Sequence, residues 1–147
     1  MRLSASLLLA SVAGLAALPA FASHELEGRD IASGQVIYAE NCAACHGDNL
    51  EGQENWQQQN DDGTWPAPPH DASGHTWHHD NVLLFQTTKL GGQGALALRG
   101  ITNFQSGMPA FEGILSDEDI WNVLAFIRST WPERERAIQD ARNPQHE

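Results

Sequence analysis

The sequence predicts a small all-α domain in which a helix near each end of the chain crosses the other and long loops fill the space between. Three observations predict it. Apolar residues recur at helical spacing near both ends, as Ile31, Gly34 and Tyr38 and again as Ile120, Val123, Leu124 and Ile127. No segment alternates convincingly as a strand does. From Gly47 to Asp80 the chain is polar and aperiodic, longer than structureless loops usually run in a compact domain. Trp56, Trp65 and Trp77 lie within that stretch and argue against disorder. It therefore packs around something that is not protein.

The 147 residues suit one domain. Residues 1–22 read as an export signal. Met1-Arg2 gives a positive start, Leu7 to Leu18 an apolar run, and Ala20 and Ala22 a small-residue cleavage site, with the cut after Ala22. The run is short for a bilayer span, the alternative being an uncleaved membrane anchor. No cysteine follows it to carry a lipid, so no stable membrane insertion is expected after cleavage. Residues 23–29 read as a flexible N-terminus, 30–132 as the domain and 133–147 as a charged C-terminal tail.

Within the domain, a helix is expected from Asp30 to about Cys42. Gly34 inside it costs about 1 kcal/mol relative to alanine, which a closely crossing helix would explain. Asn81 to Leu90 is expected to form a short helix, capped by Asp80 and ended by Gly91-Gly92, with an irregular loop on to Met108. Ser116 to about Trp131 is the clearest helix. Ser116 caps it, Asp117, Glu118 and Asp119 complement its positive end, and Pro132 stops it.

The balance of 8 Lys+Arg against 19 Asp+Glu is strongly acidic, and the signal holds one base, Arg2, and no acid. That excludes nucleic acid as an expected partner and disfavours an anionic membrane. It suits a partner with a basic docking surface.

The only two cysteines fall in Cys42-Ala43-Ala44-Cys45-His46. A disulfide across so short a gap restrains little of the unfolded chain. Zinc would need more ligands, and a thioredoxin-like pair a βαβ setting that is not seen. C-x-x-C-H is the signature of covalent c-type haem attachment. Two thiols reach the two vinyl groups on one porphyrin edge, and the histidine stands under the iron. One haem would also supply the apolar interior that the long loop lacks.

From about Asp30 to Pro132 the chain resembles the class I, monohaem c-type cytochromes. The resemblance rests on Gly34 and Tyr38, on Cys42 to Gly47, on Gly107-Met108-Pro109-Ala110-Phe111, and on Leu115 to Ile120 leading into the last helix. It implies the small cytochrome c fold, its long loops wrapped around one covalent haem. Gly34 and Tyr38 would meet Val123 and Phe126 where the end helices cross. It also implies that a proline-region carbonyl orients His46. Pro66, Pro68 and Pro69 are the candidates, because a Trp-Pro-Ala-Pro-Pro run replaces the family's short glycine-proline step. Pro68 and Trp77 are assigned to the haem environment.

Met108 is the only methionine after the signal and is expected to be the second axial ligand, since thioether sulfur suits haem iron. The rival is a bis-histidine haem using His70, His75, His78 or His79. Those four histidines, with Asp71 and Asp80, could instead bind copper or zinc. The simpler reading has them bonding haem propionates or capping the Asn81 helix, with Trp77 donating its indole N–H to a propionate. Gly92-Gln93-Gly94 echoes a dinucleotide motif but lacks the preceding strand.

The expected function is a periplasmic carrier of single electrons on haem c with His46 and Met108 as axial ligands. It is not expected to be an enzyme, although it could serve as the cytochrome subunit of one. Redox proteins such as a dehydrogenase or an oxidase are the expected partners, meeting the haem edge near Ala43, Ala44 and Phe111. The alternatives are a ligand-binding haem enzyme with an open coordination position and a copper-handling protein built on His70 to His79.

Overall fold

Asp30 begins the first helix by accepting a hydrogen bond from the Ser33 N–H at 3.0 Å. In the computed structural model, which describes residues 25–143, α1 spans Ile31–Asn41. After a single break at Cys42, α2 (Ala43–His46) continues the chain and Gly47 stops it at φ 83°. The proposed signal and its cleavage site lie outside the described residues. A 3-10 turn at Thr76–His78 precedes α3 (Asn81–Ala97), and α4 (Asp117–Ser129) and α5 (Glu133–Asp140) complete the order. Among the described residues there is no strand, only isolated bridges between Trp65 and Ser106 and between Glu112 and Leu115. None of their helices is long and apolar enough to cross a membrane.

The end helices cross as expected. A Cβ on Gly34 would stand 2.1 Å from the Asn122 carbonyl oxygen and 2.9 Å from Phe126 Cβ, so the α1 backbone rests directly on α4. The Asn122 side chain returns to accept the Asp30 N–H at 3.2 Å. The Tyr38 and Phe126 rings meet at 5.5 Å. Gly34 therefore meets the backbone at Asn122, and Val123 packs with Ile37, Tyr38, Ile127 and Trp131 in one half of the core. The other half gathers Leu26, Leu84, Ile120, Leu124 and Ala125. Ser116 and Asp119 cap α4 reciprocally, each side chain bonding the other's backbone N–H.

The segment after Leu90 corrects the sequence reading. The helix that begins under the Asp80 cap does stop at Gly91, which takes φ 72° and ψ 162°, but helical structure resumes and runs to Ala97. The glycines of Gly91 to Gly94 masked it. Gly91 alone takes the left-handed conformation, and Gly94 and Leu96 then accept the N–H of Leu98 at the helix end. At the other end of the chain, Gln139 on α5 is fully buried. It donates to the Asn81 side chain at 2.6 Å, beside an Arg128–Asp140 ion pair.

Gly34→Val tests the crossing. The added carbons have no room against Asn122, and overpacking of this kind costs about 3 kcal/mol. The guanidinium midpoint of the holoprotein should fall accordingly, and an unchanged midpoint would show that α1 does not lie on α4 so closely.

Candidate functional site

One turn of backbone assembles the motif. The carbonyl of Cys42 accepts from the N–H of Cys45 at 3.1 Å and of His46 at 2.9 Å. Residues three and four apart share a helix face, so both sulfurs and the imidazole project to one side. Both thiols are free, Cys42 partly buried and Cys45 exposed. Burial, and then the neighbouring Cys45, pushes the Cys42 thiol up to about 11. Tyr38 closes the turn from behind, its hydroxyl donating to the Gly47 carbonyl at 2.8 Å.

His46 is buried, and burial lowers its pKa. Its Nδ1 stands 2.9 Å from the Pro68 carbonyl oxygen. A carbonyl only accepts, so Nδ1 carries the proton and the neutral ring keeps a lone pair on Nε2. Of the three candidate prolines, Pro68 is the one whose carbonyl reaches His46. The chain delivers it by folding the proline run against the residues just after the motif. Gln53 N–H donates to the Ala67 carbonyl at 2.9 Å and His70 N–H to that of Leu50 at 2.8 Å. The Gln53 side chain answers with an acceptor for Ala67 N–H. Gly52 is required there, since a Cβ would lie 2.4 Å from Pro69 N.

The four histidines do not form one group. His70 stacks on His46 with ring centroids 3.9 Å apart. His75 stacks on Trp56 at 5.2 Å, with His79 edge-on to it. His78 lies against Trp77. Among the described residues, no three His, Cys, Asp or Glu side chains are grouped to hold a metal ion. Nor do the histidines cap α3, since Asp80 does so. Among the described residues, two buried nitrogens in this region, His75 Nδ1 and Trp77 Nε1, have no hydrogen-bond partner.

Met108 is partly buried on a segment docked into the α3 break. Gly92 N–H donates to the Met108 carbonyl at 3.3 Å, and Phe111 N–H reaches those of Thr88 and Lys89. The Ser106 hydroxyl accepts the Met108 N–H at 3.2 Å. A Cβ on Gly92 would meet Ser106 Oγ at 2.0 Å, and one on Gly91 would meet the Met108 and Ala110 backbone at 2.9 Å. Sequence reading missed these two glycines as the seat of the Met108 segment. Their adjacency was the available signal. Ala43 and Phe111, expected at an exposed rim, are both covered by protein, while Ala44 is exposed.

A family model described as cytochrome c matches residues 31–131. A cytochrome c6 of Picosynechococcus is 34% identical over 111 residues, covering 74% of this chain and 75% of the relative. The cbb3-type cytochrome c oxidase subunit FixP of Bradyrhizobium is 34% identical over 104 residues, 70% of this chain. A thiosulfate dehydrogenase of Stutzerimonas stutzeri is 35% identical over 104 residues, 69% of this chain. The match spans only 28% of the length of each of these last two. No solved structure matches.

Burial first, then the neighbouring histidines, holds His75 and His79 below the ordinary ring value of 6.5. The folded state thus binds these protons less readily than the unfolded chain. Their contribution is fully present above about pH 6.5 and is lost as the pH falls through the lowered folded values. The urea midpoint should drop on acidification below that point, and the double variant His75→Gln, His79→Gln should flatten the dependence. Equal slopes for variant and parent would refute this assignment.

Proposed function

The chain belongs to the cytochrome c family, and we propose that it is a periplasmic carrier of single electrons whose haem iron is held axially by His46 and Met108. Its cofactor is haem c, bound covalently. The residues fit that group on three counts. Two free thiols and an imidazole face one side of a helical turn. His46 spends Nδ1 on Pro68 and keeps Nε2 for a metal. The Nε1 of Trp77 and the Nδ1 of His75 are buried without a partner among the described residues, and a buried polar group is expected to have one. A haem propionate is an acceptor of the right chemistry.

The carrying observation is the hydrogen bond from His46 to Pro68, because it fixes the tautomer and the ring direction that an axial ligand needs. In this reading Cys42 and Cys45 hold the group through thioethers. Trp77 would donate its indole N–H to one of its carboxylates. Met108 would supply the second axial ligand, its backbone held by Gly92 and Ser106. When bound, the haem supplies a metal that alternates between ferric and ferrous states, and His/Met ligation raises its reduction potential. With both axial positions filled by the protein, no site remains for a substrate, which favours transfer over catalysis.

The export reading rests on residues 1–22 and on the two cysteines, whose attachment chemistry belongs to that compartment. Partners of the dehydrogenase or oxidase kind are supported by the names of two relatives, an oxidase subunit and a thiosulfate dehydrogenase. The excess of acid over base suits a basic docking surface on such a partner.

Expression with export and c-type maturation machinery should give a red protein whose band on a denaturing gel stains for haem peroxidase. Cys42→Ala with Cys45→Ala should abolish the stain, and a stained double variant would sink the attachment reading. Ligation is read separately from the sulfur-to-iron charge-transfer band of the ferric protein. Met108→Ala should remove the band and admit exogenous ligands. Gly92→Ala, which drives a methyl group into Ser106, should weaken the band while leaving the stain. If the band survives Met108→Ala, another residue holds the sixth position.

A further inference from the structure

His70 has no part in covalent attachment or in the axial pair, yet it lies flat against the axial imidazole. The two rings are 3.9 Å apart at centroid and within 20° of parallel. His70 is itself held from three sides. Its backbone N–H donates to the Leu50 carbonyl at 2.8 Å. Its carbonyl accepts the Trp131 indole N–H, also from the end of the α4 region, at 2.7 Å. Its Nδ1 stands 2.8 Å from the Thr76 hydroxyl. That hydroxyl reaches the Pro69 carbonyl at 3.4 Å. Thr76 therefore anchors the His70 ring at Nδ1, whichever of the two groups donates. The rotamer of His70 is thereby held without reference to His46. Burial, and then the nearby His46 and His75, lowers the pKa of the ring well below its ordinary value.

The bond from His46 to Pro68 leaves one freedom open. A metal on Nε2 defines a rotation axis that passes close to Nδ1 on the far side of the five-membered ring. Turning about that axis moves Nδ1 little, so the Pro68 bond fixes the ring's direction but holds its plane weakly. A flat group stacked on the ring face resists the turn directly.

We infer that His70 is a positioning residue that sets the plane of the His46 imidazole, with Thr76, Leu50 and Trp131 holding His70 in turn. The inference rests on the reading that His46 binds the haem iron. The plane of an axial imidazole governs its π overlap with the iron d orbitals. It is therefore visible in the g anisotropy of the ferric ion and in the hyperfine-shifted haem-methyl resonances. A residue that merely filled space would leave both unchanged.

The test uses the mature holoprotein and three variants, each read by ferric EPR and proton NMR. His70→Ala should shift and broaden the low-field g value and reorder or compress the haem-methyl shifts. His70→Phe keeps a flat ring without the Thr76 bond and should return both toward the parent. Thr76→Val deletes one hydroxyl, leaves the core packed and should give a smaller shift in the direction of His70→Ala. It also carries the test if His70→Ala does not fold. Parental g values and methyl shifts in His70→Ala, or in Thr76→Val where only that variant folds, would overturn the inference. So would a His70→Phe protein that moves as far as His70→Ala. The haem stain and the methionine band report the parent reading independently. Both intact with unchanged g values defeats the role of His70 alone, while a parent protein without stain defeats the reading and the inference together.

Discussion

The close passage of α1 over α4 at Gly34 is the constraint from which the site follows. With no side chain at that position, one helix backbone settles on another at Asn122, and the two axes are fixed relative to each other. The C-terminal end of α1 then becomes the place where Cys42, Cys45 and His46 are presented. The far end of α4 becomes the place where Trp131 is presented. These two ends are bridged by His70, whose carbonyl takes the Trp131 indole and whose ring meets His46.

The long segment after the motif is better described as a strap than as a loop. Its backbone polar groups have partners near the motif itself. Gly52 N–H bonds the His46 carbonyl, Gln53 pairs with Ala67, and the N–H groups of His70 and Asp71 both reach the Leu50 carbonyl. This is how a polar, aperiodic stretch avoids leaving buried peptide groups unpaired. The exceptions lie on side chains, at Trp77 Nε1 and His75 Nδ1.

Local signals were legible and long-range ones were not. Asp30, Asp80 and Ser116 are caps whose partners lie three residues away, so spacing alone reveals them. The five-residue motif is equally local. The resumption of α3 beyond Gly91 was hidden because helix propensity penalises the very glycines that the docking of the Met108 segment requires. The choice of Pro68 among three prolines depends on a pairing with residues 50–53 that no periodicity encodes. Nothing local marks Gln139 as a buried residue either. It stands in a charged stretch, and its partner Asn81 is 58 positions away.

None of the ion pairs Lys89–Asp117, Arg128–Asp140 and Arg134–Glu135 among the described residues includes His46 or His70. Burial lowers the pKa of both rings, and their Nδ1 atoms lie within hydrogen-bond distance of the Pro68 carbonyl and the Thr76 hydroxyl. The acids of the chain lie mainly on its exposed positions. The hydrogen bond and the stacked ring that hold His46 in place would also limit how far the groups around a haem iron reorient when its charge changes.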